Sequence, residues 1–266
     1  MDAKAKRQRF KELHESGTFI IPNPWDVGSA RVLEVMGFSA LATTSSGFAA
    51  SVGLPDQHVT LDQLVPHVAA ICEAVDIPLN VDAERCYADD TAGVTRTIEL
   101  LAEAGAAGIS IEDYNPATGA LDSLDDSIAR VTAAAYACER HGITLTGRCE
   151  NHLYGFADID DTIERLRAYK AAGARVAYAP GLMALDDIAK VVEAVPGPHN
   201  ILALRKGPAV SELASVGVRR VSTGGSLAWA AYGGLAAAAK ELLDEGTSTY
   251  LDHVVPRDIR SQAFRA

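Results

Sequence analysis

The sequence predicts a closed (β/α)8 barrel, and three observations favour this fold class. Its 266 residues suit one barrel of this kind. Hydrophobic residues make up 48% of the chain, enough for a large core. Eight short apolar segments alternate with segments of helical periodicity, and no linker or change in composition interrupts them. We therefore expect one domain over residues 1–266, with a helical C-terminal extension from about residue 225.

The eight apolar segments are predicted to be parallel strands. They cover residues 19–22, 40–44, 78–81, 108–111, 144–147, 175–179, 200–204 and 219–222. The helical patterns between them, such as 91–104 and 159–172, end in Ala-Gly or a similar stop signal directly before the next strand. A polar amphipathic helix is expected over residues 1–17. A further helix over 227–243 extends beyond the length of a barrel, and we expect it to pack on a neighbouring subunit.

Charge and composition exclude several classes of partner. The formal net charge is −11, and no cluster of Lys and Arg could neutralise phosphates, which argues against nucleic-acid or anionic-membrane binding. The basic residues 1–11 are not followed by an apolar signal-peptide core, and no run of 18 apolar residues occurs, so we expect a cytoplasmic protein. The four cysteines show no CxxC spacing, which fits a reducing compartment: Cys72, Cys86, Cys138 and Cys149.

Acidic residues follow two neighbouring predicted strands. Asp82 and Glu84 end the third strand, and Glu112 and Asp113 end the fourth. The carboxyl ends of parallel strands meet at one face of a barrel, where active sites lie. Carboxylates that lie close together repel one another and raise each other's pKa, and a hard divalent cation relieves this repulsion. The sequence therefore predicts a magnesium site at this face.

The loop after the second strand offers further polar groups. Ser45, Ser46 and Gly47 supply hydroxyl and backbone N–H groups that suit a carboxylate or phosphonate, although a purely structural turn would have the same composition. Asp56 adds a carboxylate to the same rim, or serves as an N-cap or turn residue.

The fifth strand ends in an arginine beside an acidic residue. Arg148 could hold a substrate carboxylate with its planar fork, and Glu150 could orient it or hold metal-bound water. The alternative is an Arg–Glu network that only closes the top of the barrel. His152 fits a helix cap or surface position better than an acid/base.

These motifs together resemble the isocitrate lyase and phosphoenolpyruvate mutase superfamily over almost the whole chain. The segments that carry the resemblance are 24–26 (Pro-Trp-Asp), 29–31 (Ser-Ala-Arg), 45–47 (Ser-Ser-Gly), 53–56 (Gly-Leu-Pro-Asp), 81–84 (Val-Asp-Ala-Glu), 111–113 (Ile-Glu-Asp) and 147–151 (Gly-Arg-Cys-Glu-Asn). The resemblance implies a (β/α)8 barrel whose last helix is exchanged between subunits of a dimer or tetramer. It also implies a bound Mg²⁺, with Mn²⁺ as an alternative.

The resemblance also implies roles for individual residues. Asp82 is expected to bind the metal directly or through water, and Asp56, Glu84 and Glu112 to complete its shell through water. The expected substrate-binding residues are Trp25, Ser45, Ser46, Gly47, Asp82 and Arg148. The candidate catalytic residues are Arg148 and Glu112, and Cys86 is a third candidate where the chain departs from the family's pattern.

Departures from the family narrow the expected reaction. The lyase branch carries a Lys-Lys/Arg-Cys-Gly-His loop where this chain has residues 114–121, which contain no Cys, Lys or His and could form a lid. Cleavage of isocitrate or methylisocitrate by the usual mechanism is therefore disfavoured. Cys86 could replace the missing acid/base, or it could be a packed, inert thiol. Pro180 and Leu204 replace a family glutamate and asparagine.

The expected function is that of a Mg²⁺-dependent lyase acting on a small 2-oxo or 2-hydroxy carboxylic acid. The resemblance implies cleavage of a C–C bond through a pyruvate-type enolate, as in an oxaloacetate decarboxylase or a methylisocitrate or dimethylmalate lyase. A P–C bond enzyme, either a phosphonopyruvate mutase or hydrolase, is the first alternative. The second is a barrel that has lost catalysis and retains a binding role, which Pro180 and Leu204 suggest.

Overall fold

In the computed structural model, residues 1–264 are described, and eight parallel strands form a nearly closed barrel. The barrel strands are β1 (Phe19–Ile21), β2 (Leu41–Ala42), β3 (Leu79–Asp82), β4 (Gly108–Glu112), β7 (Thr144–Arg148), β8 (Val176–Tyr178), β9 (His199–Leu202) and β10 (Arg220–Ser222), and two further strands are β5 (Tyr114–Asn115) and β6 (Ala120–Leu121). The barrel order is β1-β10-β9-β8-β7-β4-β3-β2, and β5 and β6 form a separate antiparallel hairpin. Each of the eight predicted segments contains or overlaps a barrel strand, which confirms the predicted fold class.

The barrel closes between its first two strands. The backbone N–H of Ala42 donates to the carbonyl oxygen of Pro22 at 3.0 Å. Just beyond these residues, Asn23 Nδ2 donates to the carbonyl oxygen of Thr43 at 2.7 Å. These two hydrogen bonds join the carboxyl ends of β1 and β2, at the face where the acidic residues lie.

Helices alternate with the strands around the outside of the barrel. They are α1 (Ala3–Leu13), α2 (Val27–Val35), α3 (Ser45–Ser51), α4 (Leu61–Ala74), α5 (Thr91–Glu103), α6 (Leu124–His141), α7 (Ile159–Ala171), α8 (Leu185–Ala194), α9 (Val210–Ser215), α10 (Ser226–Asp244) and α11 (Arg257–Ala263), with a 3-10 turn at Thr249–His253. Local chemistry sets the ends: the Asp90 carboxylate caps α5 by accepting from Gly93 N–H at 2.7 Å, and Gly142 ends α6 with a φ of 68°. Within residues 1–264, the helices fall short of the length and apolarity that crossing a membrane requires.

The main apolar core lies between the barrel wall and the helices. Fully buried side chains such as Ile98, Leu101 and Ile109 belong to it. The barrel interior differs, because Asn80, Ser110, Asn200 and Ser222 line a cavity there. Branched apolar side chains usually fill the interior of such barrels. Smaller polar side chains leave space open below the predicted metal site.

Helix α10 extends away from the barrel. Ala228 is its buried residue, and Trp229, Leu235 and Leu243 are 58%, 65% and 86% exposed. The chain then returns, and α11 packs on α2. A 19-residue helix with this much exposed apolar surface is typical of an element that packs on another protein surface.

Candidate active site

A cavity of about 170 Å³ opens at the carboxyl ends of the barrel strands. Its wall consists of Ile21, Asn23, Ala42, Thr43, Thr44, Ser45, Ser46, Asp56, Asn80, Asp82, Ser110, Arg148, Leu153, Tyr178, Asn200, Leu202, Arg220, Ser222, Gly224 and Gly225. Most of these residues have polar or charged side chains. The cavity therefore lies at the face where parallel barrels carry their active sites.

Arg148 is the centre of a buried charge cluster at the upper end of this cavity. Its Nη1 lies 3.2 Å from Asp82 Oδ1 and 3.3 Å from Glu112 Oε2, and its Nε donates to Glu150 Oε1. The register of the sheet accounts for part of the cluster, because Glu112 on β4 lies directly opposite Arg148 on β7. Burial lowers the pKa of Arg148, but the charges of Glu150, Glu112 and Asp82 outweigh burial and raise it.

Neighbouring backbone and side-chain groups fix the orientation of the cluster. The N–H of Asp82 donates to Thr43 Oγ1 at 2.9 Å, and the N–H of Ser45 donates to Asp82 Oδ2 at 3.3 Å. Gln57 Nε2 donates to Glu112 Oε1 at 3.1 Å. Asp82 and Glu112 are thus held by residues of the segment that follows β2.

Glu84 is the least satisfied carboxylate near the cavity. It is 5% exposed, and among the described residues its Oε1 has no hydrogen-bond partner. Burial, and then the charges of Asp82 and Asp56, raise its pKa to about 8. Loss of solvent and the charge of Asp82 also raise the pKa of Asp56. The carboxylates predicted to bind metal therefore lie close enough to repel one another.

The donor set fits a hard divalent cation. Within residues 1–264, no three His, Cys, Asp or Glu side chains already stand in coordinating geometry. Mg²⁺, however, keeps several waters and is bound by one or two carboxylates. Asp82 and Asp56 line the cavity, and Glu84 has a buried oxygen without a partner. These residues could hold Mg²⁺ with one direct ligand and the remainder through water.

The Ser-Ser-Gly segment begins a helix, where a turn was expected. Thr44 is the N-cap of α3, and its Oγ1 accepts from the N–H of Gly47 at 3.3 Å. Ser45 and Ser46 line the cavity, as expected of substrate-binding residues. Gly47 serves packing, because a Cβ there would lie 2.6 Å from Thr44 Cγ2 and 3.2 Å from Cβ of Trp25. Gly47 and Trp25 lie beside the residues of the cavity wall.

Cys86 is enclosed in the apolar core. It has no exposed surface, and burial raises the pKa of its thiol to about 12. A proton donor or acceptor must reach the substrate and change its protonation state near neutral pH. The geometry favours a packed, inert thiol, and an acid/base role for Cys86 stays a prediction without support from its position. Cys149 is equally buried.

Pro180 and Leu204 lie outside the cavity wall. The residues of β8 and β9 that face the cavity are Tyr178, Asn200 and Leu202. The replacement of two polar family residues therefore does not make this cavity apolar.

Asn23 follows the first predicted strand, where functional residues are expected, and it lies on the cavity wall. Asn23 Oδ1 accepts from the N–H groups of Thr223 and Gly224, both at 2.9 Å, and so joins the loops after β1 and β10. Asn200, Arg220 and Tyr178 lay inside predicted strands, where we expected core residues. Their signal was the presence of polar or charged side chains within strands that should be buried.

The β5–β6 hairpin occupies the position of the predicted lid. Tyr114 stacks on Tyr154 of the loop after β7, with ring centroids 3.5 Å apart and ring planes 7° apart. Asp122, just after the hairpin, accepts from Arg85 Nε at 2.6 Å. These contacts anchor the hairpin on both sides beside the charge cluster.

Comparison with known proteins identifies the family. The sequence pattern of the phosphoenolpyruvate phosphomutase family matches residues 10–243. The chain belongs to this family. A crystal structure described as a lyase/mutase from Burkholderia cenocepacia is 45% identical, with a TM-score of 0.93 over 97% of this chain and 96% of that one.

Two relatives with shorter matches agree with this assignment. An uncharacterised protein of Mycobacterium tuberculosis is 33% identical over 81% of each chain. The oxaloacetate decarboxylase of Paraburkholderia xenovorans is 32% identical over 78% of this chain and 69% of its own length. The predicted membership of the isocitrate lyase and phosphoenolpyruvate mutase superfamily is confirmed, and the comparisons support an enzyme with lyase-type chemistry.

Proposed function

We propose that the protein is a Mg²⁺-dependent C–C lyase of small 2-oxo or 2-hydroxy carboxylic acids, and that oxaloacetate decarboxylation is its specific reaction. The observation that carries the proposal is the buried cluster of Asp82, Glu84, Glu112 and Glu150 around Arg148 at a polar cavity. Breaking a bond next to a carbonyl group places negative charge on its oxygen, and fixed positive charge in a site with little water stabilises that charge.

The bound cation would act as a Lewis acid toward the 2-oxo oxygen of the substrate. Arg148 donates hydrogen bonds toward the same region, and Glu112 and Glu150 hold its guanidinium in place. The hydroxyl groups of Ser45 and Ser46 lie on the cavity wall, where they can orient substrate oxygens. Thr43 Oγ1 accepts from the backbone N–H of Asp82, and Ser45 N–H donates to its carboxylate, so these contacts fix the residue that would hold the cation.

Decarboxylation requires fewer catalytic groups than the cleavage of methylisocitrate or dimethylmalate. The C3–C4 bond of oxaloacetate breaks, CO2 leaves, and the electron pair moves onto C3, C2 and the oxygen as an enolate. A proton from solvent then reaches C3 and gives pyruvate. No acid has to protonate the leaving group, which agrees with the burial of Cys86 and with a hairpin at 114–121 that lacks Cys, Lys and His. The similarity to the Paraburkholderia xenovorans decarboxylase supports the same reaction.

Phosphonopyruvate chemistry has weaker support. Transfer of a phosphoryl group needs free polar groups over the site, and within residues 114–121 the candidates are Asn115 and Thr118. Asn115 Oδ1 accepts from Ala117 N–H at 3.1 Å, and its Nδ2 donates to Asp122 at 3.3 Å. Its amide is therefore engaged within and beside the hairpin.

The experiment is an assay of pyruvate formation with Mg²⁺, with Mn²⁺ and with a chelator. The substrates are oxaloacetate, phosphonopyruvate, 2-methylisocitrate and 2,3-dimethylmalate. We expect metal-dependent turnover of oxaloacetate that Asp82→Ala abolishes and that the exposed control Asp62→Ala retains. Turnover of phosphonopyruvate would support the P–C alternative instead. If the folded protein forms no pyruvate from any of these four substrates, the proposal is contradicted and a barrel with a binding role is favoured.

The proposed assembly is a homo-oligomer in which α10 packs on a neighbouring subunit. Its exposed apolar residues, such as Trp229 and Leu235, support this arrangement. Light scattering should give the mass of a dimer or tetramer, and Leu235→Asp should lower it. Tyr136→Asp on α6, which changes an equally exposed apolar side chain away from α10, should leave the mass unchanged. A cytoplasmic location stays a prediction.

A further inference from the structure

A second arginine lies at the floor of the same cavity, below the upper cluster. Arg220 on β10 is 3% exposed and forms part of the cavity wall. Its Nε donates to Asn200 Oδ1 at 2.9 Å, and its Nη2 donates to Thr146 Oγ1 at 3.0 Å. Its Nη1 lies 3.4 Å from His14 Nε2.

Each of these partners accepts a proton from the guanidinium. His14 Nδ1 lies 2.8 Å from the carbonyl oxygen of Phe10, so Nδ1 carries the proton and Nε2 can accept from Arg220. Burial, and then the charge of Arg220, lower the pKa of His14 to about 3, so this imidazole is neutral. Because an arginine has no hydrogen-bond acceptor, the direction of its hydrogen bonds is fixed.

This fixed direction continues along a chain of side chains toward Tyr178. Since Asn200 Oδ1 faces Arg220, its Nδ2 faces the other way and donates to Ser222 Oγ at 2.9 Å. Ser222 Oγ in turn donates to the hydroxyl oxygen of Tyr178, at the long distance of 3.5 Å. A hydroxyl that accepts through its oxygen keeps its own proton for a second partner. The chain therefore leaves the Tyr178 proton free.

The Tyr178 side chain joins the floor to the upper cluster. It is 7% exposed and forms part of the cavity wall, and its ring centroid lies 5.3 Å from Arg148 Cζ. Burial raises the pKa of Tyr178 to about 12, although the charge of Arg148 and the hydrogen bond from Ser222 oppose this rise. The hydroxyl is thus protonated at neutral pH, and groups that stabilise its anion are already in place.

The cavity wall has few other groups that could supply a proton. General acids in enzymes are most often His, Asp, Glu, Lys, Tyr or Cys side chains. Within the described residues 1–264, the side chains of these types on the wall are Asp56, Asp82 and Tyr178. The two carboxylates are assigned to the cation, so Tyr178 is left for proton transfer.

We propose that Tyr178 is the acid that protonates C3 of the enolate formed by loss of CO2. This inference rests on the proposed function and names the group through which the proton reaches C3. C3 is bonded to the carbon of the 2-oxo group, so a substrate whose oxo group meets Arg148 also places C3 near the Tyr178 ring.

The proton transfer balances as follows. The O–H bond of Tyr178 breaks, the electron pair of the enolate forms the new C3–H bond, and the C2–O bond becomes the carbonyl of pyruvate. Arg148 and Ser222 stabilise the tyrosinate that remains. Solvent returns a proton to it when pyruvate leaves.

The test follows CO2 release and the formation of keto pyruvate separately, with oxaloacetate and Mg²⁺. Mass spectrometry measures CO2, and lactate dehydrogenase with NADH measures pyruvate only in its keto form. In the wild-type protein the two products should appear together. Tyr178→Phe keeps the ring beside Arg148 but lacks the proton, so it should release CO2 first and enolpyruvate should become pyruvate in solution.

We expect Tyr178→Phe to lower the initial rate of pyruvate formation about 10- to 100-fold relative to CO2 release. A general acid contributes about 10²- to 10⁴-fold, and ketonisation in solution recovers part of this loss. The control is Tyr169→Phe, which removes a buried hydroxyl outside the cavity wall. In this control CO2 and pyruvate should still appear together.

Two results for Tyr178→Phe would overturn the inference while the proposed function stands. One is formation of both products together at the wild-type rate. The other is an equal loss of both, which would mean that the hydroxyl serves binding or folding. If the wild-type protein releases no CO2 from oxaloacetate above the rate without enzyme, the proposed function and this inference both fail.

Discussion

The two arginines of the cavity lie in opposite electrostatic surroundings. Arg148 is held by Asp82, Glu112 and Glu150, so the upper cluster carries more negative than positive charge. Arg220 is held by Asn200, Thr146 and a neutral imidazole, so the floor carries a net positive charge. An excess of carboxylates suits a metal cation. The two ends of the cavity therefore differ in the sign of their charge.

The largest effects on the free energy of unfolding are expected when each arginine is replaced. Arg148→Gln leaves three buried carboxylates without their cation and should destabilise the metal-free protein by about 3–5 kcal/mol. Arg220→Gln leaves neutral groups and should cost less than half of that. Urea unfolding at pH 8 with a chelator measures both. The exposed pair of Arg140 and Glu99 supplies the control, since Arg140→Gln should cost under about 1 kcal/mol. Equal losses at positions 148 and 220 would contradict the assigned difference in charge.

The variant Glu150→Gln tests whether Glu150 positions the guanidinium of Arg148. Glu150 has no exposed surface, accepts from Arg148 Nε, and donates its own N–H to Asp113 Oδ1 at 2.8 Å. Loss of its charge should let the guanidinium move and lower kcat about 10- to 100-fold, with a smaller change in KM, because a charged hydrogen bond contributes about 1.5–3 kcal/mol. An unchanged kcat would show that Glu150 does not position Arg148.

The neutral histidine at the floor predicts a pH dependence of stability. The pKa of His14 falls from about 6.5 in the unfolded chain to about 3 in the folded protein, so the unfolded chain binds more protons between these values. Stability from His14 is complete above pH 6.5 and decreases as the pH falls toward 3. Between pH 7.5 and pH 5 the loss should be about 2 kcal/mol.

The variant His14→Gln isolates this contribution. Its amide can donate to the carbonyl oxygen of Phe10 and accept from Arg220 without titrating. Comparing the two proteins cancels the buried carboxylates, whose pKa values are raised and whose contributions have the opposite sign. The same loss of stability in both proteins would mean that His14 does not stay neutral at the floor.

The smallest effect on activity is expected when the stack of Tyr114 and Tyr154 is disrupted. Tyr154→Ala removes the ring that stacks on Tyr114 and should raise KM about three- to tenfold by loosening the hairpin, since aromatic pairs contribute about 0.5–1.5 kcal/mol. Tyr154→Phe keeps the stack and should behave as the wild type. A loss in both variants would point to the hydroxyl group rather than the stack.

The sequence predicted the barrel well because each strand carries its own local signal. Apolar runs, helix caps and glycine stops fixed all eight strands within a few residues, and the acidic pairs after β3 and β4 marked the functional face. The Ser45–Gly47 segment was misjudged as a turn, because its capping residue, Thr44, belonged to the predicted strand. The cap becomes visible only when β2 ends at Ala42.

The floor of the cavity could not be predicted in the same way. Asn200 and Arg220 are adjacent in space only because β9 and β10 pair in one register, and His14 reaches Arg220 from a helix more than 200 residues earlier. Such contacts depend on closure of the whole barrel. The inertness of Cys86 likewise follows from its surroundings in the folded core, which no local pattern describes.

The most direct test of the proposed metal and substrate site is a crystal structure of the protein with Mn²⁺ and pyruvate, with the metal located by its anomalous signal. We expect the metal beside the Asp82 carboxylate and the oxo group of pyruvate directed at Arg148. A metal bound away from Asp82, or pyruvate bound without contact to Arg148, would contradict the proposed function.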